Sequence, residues 1–260
     1  PMLRLLTEHL ADRSAIVTYN GRSFDWPLLR GRFVLNRLKP PSPPPHLDLL
    51  HCARRTLKPR LGSARLVAVE RGALGMHRVD DIDGSEIPEV YHAFVRTGRP
   101  GAMARVIEHN AHDLVAMAAL LGHLVEALAG PRPKDAGDDL LAFANLAERA
   151  GDAEGATRFA RAAAERPGPH AANAHLLLAE QARRAGVHAS EEAALKAALT
   201  HATDAWALAH LHWRLAILYE HRLGRPDLAL HHAHAAQIRE PAADHQRRIE
   251  RLRRRLDASC

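Results

Sequence analysis

Cysteine is scarce: Cys52 and Cys260 are the only two in 260 residues, too few for a disulfide framework, and no paired C-x-x-C spacing offers zinc a site. That usage fits a reducing cytoplasm. Nowhere do about 18 apolar residues run without interruption. The N-terminus shows no basic stub leading into an apolar segment and a cleavage site. The expectation is a soluble, cytoplasmic protein with no membrane partner. Excess charge is also small, at +6, with 17 basic against 13 acidic residues in 1–130 and 19 against 17 beyond. Such a balance permits a polyanionic partner without demanding one. Arg54, Arg55, Lys58 and Arg60 are the tight basic cluster of the first half, open to reading as a solvated helix face or a phosphate track, and Arg247 to Arg255 reads as the polar outside of a capping helix.

What is present is ordinary globular material, 47% hydrophobic and long enough for two domains. The chain opens inside an amphipathic segment, LRLLTEHLADR. Residues 14–20, SAIVTYN, are β-branched and aromatic and end at Asn20-Gly21, which predicts a buried strand and a turn. A helix follows, with Pro27 in its first turn and an apolar face of Leu28, Leu29, Phe33 and Leu35 reaching Leu38. The proline-rich stretch from Lys39 to His46 must be extended. HLDLL at 46–50 predicts a second strand, with helices at about 50–57, 63–74 and 86–97 and a long helical stretch from Gly101 to Ala129, broken near His109. Strand and helix alternate, so the first half is α/β.

Two acidic positions carry alternatives. Asp25 stands at a strand-to-helix junction, where a carboxylate either caps the helix or faces a cleft at the strand's C-terminal end. His109 and Asp113 lie four apart in VIEHNAHDLVAM and so share a helix face. They are either a metal-binding pair or a polar stripe, and with 19 histidines in the chain a chance pairing is unsurprising.

TYNGRSFDWPLL, HLDLLHCARRTL, LVAVERGALG, DDIDGSEIPEVY and VIEHNAHDL, taken in order, resemble the predicted exonucleases of ribonuclease-H-like fold in the DEDD (DnaQ-like) superfamily, some of which carry C-terminal tetratricopeptide repeats. The resemblance covers roughly residues 3–125. It implies that Asp25 is the acid of the second exonuclease motif, Asp113 that of the third, and His109 the general base. The four-residue step from His109 to Asp113 matches the tyrosine-type subgroup. Asn20, Phe24 and Trp26 either line the strand cleft and stack on the terminal nucleotide or serve as turn and core residues. Asp48 is a further acid near the site or part of the strand's hydrogen bonding.

In-line attack on a phosphodiester needs an activated water and stabilised charge on both attacking and leaving oxygens, which two divalent cations about 4 Å apart supply. Carboxylates suit magnesium or manganese, so the implied cofactor is Mg2+ or Mn2+ on Asp25 and Asp113, with DNA or RNA as partner. The first motif of the family, an Asp-x-Glu, is missing: nothing before Ile16 carries it. The resemblance implies that this part of the sheet lies upstream, so the chain as given is expected to be inactive.

The second half is read from periodicity. Gly151, Gly186 and Gly224 punctuate alanine-rich segments at spacings of 35 and 38 residues, near the tetratricopeptide period of about 34. Gly224, Ala229, Ala236 and Pro241 sit where such a repeat needs its turn, small packing residues and exit, and Trp213, Leu215, Ala216 and Tyr219 fill a first helix. Gly151, Ala156 and Ala163 repeat that logic, while the unit around GVHASEEAALKAAL is irregular. His175, Arg183, Trp206, His210, Arg214 and His231 decorate a groove for a peptide or are solvent-facing. His231, His232 and His234 lack an acid or Cys to complete a metal site.

The expected architecture is a partial α/β ribonuclease-H-like domain at 1–130, a linker at 131–137, and an all-α tetratricopeptide-like domain at 138–260. Two functions fit: a 3′-to-5′ exonuclease whose repeats bind a protein partner, or a non-catalytic adaptor with a remnant nuclease domain.

Overall fold

The computed structural model describes residues 1–258, so Cys260 lies outside the described residues. Helix α1 (Met2–Ala11) leads into strand β1 (Ile16–Thr18), which pairs in parallel with β2 (His46–Asp48) in the register Ile16 to His46, Val17 to Leu47 and Thr18 to Asp48. Parallel strands cannot be joined by a tight turn. Helix α2 (Asp25–Leu35) and the proline stretch make the crossover. The strand pair is less buried than its β-branched sequence suggests: Val17 is 38% and Leu47 40% exposed, because one face of a two-stranded sheet has no cover among the described residues.

Helix α2 ends at Leu35, short of the expected Leu38. Arg37 turns left-handed at φ 56, its N–H bonding Val34 O, while the Leu38 N–H returns to Phe33 O. This is a Schellman stop with arginine where glycine is usual. Beyond β2, α3 (Leu49–Thr56) and α4 (Lys58–Leu61) follow directly. Gly62, at φ 70, breaks the chain, so the helix expected at 63–74 starts only at α5 (Leu66–Val69) and runs on as a π-helical turn, Glu70–Leu74. Helix α6 (Ile87–Thr97) precedes α7 (Met103–Ala129). The break expected near His109 does not occur, since no glycine or proline interrupts 103–121. By length and composition α7 is also long and apolar enough to cross a membrane. A stripe of Ala116, Leu120, Leu124 and Ala127 is buried, where the helix packs on α3, α6 and the π-helical turn, while Ile107, Leu114, Val115, Val125 and Leu128 are exposed.

The chain divides into two compact units, the first ending at Ala129. The second is helical throughout: α8 (Gly137–Arg149) with α9 (Ala153–Ala164), α10 (His170–Arg184) with α11 (His188–His201), α12 (Ala205–Leu218) with α13 (Pro226–Ala235), and a last helix α14 (Ala242–Asp257) on α13. The segment whose repeat pattern is irregular lies in helix α11. Small residues let the paired helices approach: Ala156, Ala160, Ala163, Ala171, Ala174 and Ala198 are all fully buried. Leu195, Leu215, Leu218, Tyr219 and Leu252 fill the space between the later helices. Helix α14 is tied down by Glu220, whose carboxylate accepts from Arg251 Nε at 2.7 Å and Arg248 Nη1 at 3.0 Å.

Gly151 (φ 77) and Gly186 (φ 70) each end the first helix of a pair with the Schellman pattern. The Asp152 N–H bonds Ala147 O, and the Val187 N–H bonds Ala182 O. The left-handed region disfavours a Cβ by about 1–2 kcal/mol. Gly186→Ala is therefore expected to lower stability by about 1 kcal/mol, and Arg37→Gly to raise it by somewhat less, because glycine loses more chain entropy on folding. Urea unfolding of both variants against the parent checks the opposite signs.

Candidate active site

Two groups of side chains in the first unit account for the residues that the sequence singled out. The first sits at the C-terminal end of the strand pair, where open α/β sheets place their ligands. Asn20 is left-handed at φ 67, and a Cβ on Gly21 would lie 2.6 Å from Thr18 Cβ, so the Asn-Gly turn folds tightly back on its own strand. Asp48 pins that turn: Oδ1 accepts from Asn20 N at 2.8 Å and Leu50 N at 3.1 Å, and Oδ2 from Arg22 N at 3.1 Å. Asp48 thus caps α3 and belongs to the hydrogen bonding of the strand ends, with only 4% exposure. Asp25 is the first helical residue of α2 and exposed. Phe24 occupies the N-cap position, and no side chain caps the helix, so the capping reading of Asp25 does not hold. The helix N-terminus nonetheless favours a negative charge there. Phe24 is 59% exposed and so is no core residue. Trp26 is half-buried, edge-on to His46 at 6.4 Å, and His46 Nε2 lies 2.8 Å from Thr18 Oγ1.

The second group forms around Arg78. Its guanidinium is bidentate on Glu70, with Nε 2.8 Å from Oε2 and Nη2 bonded to Oε1. Nη1 donates to Asp81 Oδ2 at 2.9 Å and Nη2 to Asp113 Oδ1 at 2.6 Å. Glu70 is 1% exposed, and an ionised carboxylate so buried requires a partner. The Glu70 hydrogen bond raises the Arg78 pKa against the opposing effect of burial. Burial pushes the Asp81 carboxyl up, but the hydrogen bonds from Arg78 and His109 outweigh it and hold it below the ordinary carboxylate range. His109 Nδ1 lies 2.9 Å from both Asp81 oxygens and 3.3 Å from Arg78 Nη1. One nitrogen cannot donate to a carboxylate and accept from a guanidinium at once. The shorter contact to an anion decides that Nδ1 carries the proton. The other ring nitrogen, Nε2, sits 3.7 Å from Asp113 Oδ2, too far for a hydrogen bond.

The structure therefore brings His109 and Asp113 together. Among the described residues no hydrogen bond or ion pair joins Asp25 to them, and no group of three or more His, Cys, Asp or Glu is set to hold a metal ion. As they stand, these residues do not fit a two-metal site: the acids near His109 gather around a guanidinium. Glu70, Arg78 and Asp81 escaped the sequence reading. The available signal was Glu70, a lone acid in the apolar run LVAVERGALG.

On the second unit, the residues read as groove or solvent-facing are partnered within the unit. Trp206, His210 and Trp213 stack at 5.6 and 5.9 Å, and Arg239 lies over both indoles at 5.3 and 4.8 Å while donating to His210 Nδ1 at 2.9 Å. His175 stacks on His201, and Arg214 pairs with Glu180 and Glu191.

Residues 1–125 match the family model of the RNase_H superfamily, so a ribonuclease-H-like domain occupies the first unit. The chain is also similar to YprB of Bacillus subtilis (strain 168), an uncharacterized protein, at 36% identity over 115 residues. The matched segment is 44% of this chain and 28% of that relative's length. No solved structure matches the chain.

Proposed function

We propose that the protein is a metal-dependent 3′-to-5′ exonuclease acting on DNA or RNA phosphodiesters, with the helical unit binding a protein or peptide as tetratricopeptide repeats do. In this reading residues 1–130 form the nuclease domain, 131–137 the linker and 138–260 the repeats. The observation that carries it is His109: with Nδ1 held by Asp81, its Nε2 is turned toward Asp113 at 3.7 Å, in a domain matched to the RNase_H superfamily. An imidazole held at a fixed orientation by a carboxylate is what proton abstraction from an attacking water requires. In this reading Asp25 and Asp113 would be the acids that hold Mg2+ or Mn2+, which the present pairing of Asp113 with Arg78 does not provide for.

Two acids are too few for a two-metal site, and no Asp-x-Glu pair precedes Ile16 in this sequence. The 260-residue chain alone is therefore expected to be inactive. The capture of Asp113 by Arg78 specifically favours a second reading, a non-catalytic adaptor whose nuclease-like domain is a remnant. A manganese-dependent assay on labelled single-stranded DNA and RNA separates the two. The exonuclease reading expects laddered products from the whole protein, lost by a factor of at least about a thousand in Asp113→Ala, and none from the chain alone. A folded whole protein that cuts nothing is the adaptor.

A further inference from the structure

A hollow beside the Asn-Gly turn has a composition of which the catalytic reading uses only Trp26. It is a cavity of about 670 Å³ between the start of α2 and the proline stretch. Three cations line it, Arg22, Arg30 and Lys39, and no carboxylate does. In a chain with 36 basic and 30 acidic residues, a lining of one sign is not the surface average. Its aromatic member is Trp26, which lies one helical turn from Arg30 on the same face of α2. The indole is fixed edge-on by His46, and His46 by Thr18, so it is oriented before any ligand arrives. The opposite wall is Pro40, Pro41, Pro43 and Pro44. Prolines hold an extended wall with little entropy to lose on binding.

We infer that this hollow binds a stretch of single-stranded nucleic acid, with one base stacked on Trp26 and the flanking phosphates against Arg22, Arg30 and Lys39. The chemistry selects the ligand. Cations without acids recognise phosphate, and an indole half-open to the hollow offers a π-face that every base can use. A duplex keeps its bases inside the stack and cannot present one. The inference rests on the reading that this domain handles nucleic acid. It adds where the strand lies, next to Asp25, and why it must be single-stranded.

The experiment is fluorescence anisotropy of a labelled 12-nucleotide oligothymidylate with the full chain in EDTA, so that cleavage plays no part. Expected are binding that weakens with salt, a blunt duplex of equal length bound at least tenfold less tightly, and a Trp26→Ala variant weakened tenfold to about a hundredfold. Trp26→Phe should restore most of the affinity, since it keeps a stacking ring. Lys39→Gln or Arg30→Gln should each flatten the slope of log affinity against log salt by about 0.7. Thymidine monophosphate should compete only at concentrations at least a hundredfold above the oligonucleotide. Unchanged affinity in Trp26→Ala, equal binding of duplex, absence of oligonucleotide binding, or a mononucleotide competing as well as the strand would each overturn it. Binding as described with no cleavage by the whole protein would sink the exonuclease reading and leave this one standing.

Discussion

Arg78→Met is expected to destabilise the first unit by about 3–5 kcal/mol, the cost of stranding a buried charge by removing its partner. The stranded group is Glu70, at 1% exposure, which loses both arms of a bidentate guanidinium. Asp81 and Asp113 lose a partner too, but at 16% and 38% side-chain exposure they can turn to water and add little. The loss would appear as faster hydrogen exchange at the α7 amides, because Arg78 joins the π-helical turn to that helix. A double variant, Glu70→Leu with Arg78→Met, should recover much of the stability, since apolar residues of similar volume replace a buried ion pair at little cost. A single variant within about 1 kcal/mol of the parent would show that the cluster is no ion network.

The second unit is expected to lose about 3 kcal/mol of stability between pH 6.5 and 4. His232 is the main cause, with His175, His210 and His212 held down in the same direction by burial. His232 is 9% exposed, hydrogen-bonded Nδ1 to Nδ1 with His212 at 2.8 Å, and stacked on Tyr219 at 5.5 Å. Burial, then the neighbouring His212, His231 and Lys196, outweigh the opposing charge of Glu192 and push its pKa from 6.5 down to about 4. In the unfolded chain His232 takes its proton near pH 6.5, whereas the folded unit resists until about pH 4. Over that window the unfolded state holds more protons, so stability is complete above pH 6.5 and drains as pH falls. A displacement of this size corresponds to about 3 kcal/mol. His232→Gln keeps a donor and an acceptor but cannot titrate. Thermal unfolding at pH 7.5 and 4.5 should show most of the wild-type drop missing from the variant. An equal drop in both would assign the acid sensitivity elsewhere. Below that range Glu220 adds to it: burial raises its carboxyl, but the hydrogen bond from Arg251 and the charges of Arg251, His221 and Arg248 hold it below the ordinary value, so its contribution is lost as pH falls through the acid range.

The helices of both units were legible because their signals are local. Gly151 and Gly186 mark helix ends, since only glycine takes a left-handed turn at no cost. The step of four from His109 to Asp113 sets them on one helix face in any fold. Short, β-branched Ile16–Thr18 announced a strand for the same reason. The sequence by itself therefore determined which residues share a face, where the chain turns, and that His109 and Asp113 lie side by side on one helix. What it could not determine was what meets that pair. Arg78 is 31 residues from His109 and 35 from Asp113, and a guanidinium finds its carboxylates through tertiary packing, which no sequence period encodes. The same holds for Asp48 reaching 28 residues back to pin Asn20, and for the Trp26 hollow, whose proline wall arrives by the crossover between two parallel strands. Local propensity is a property of the backbone and its nearest neighbours, whereas charge pairing is decided by whichever groups burial leaves within reach of one another.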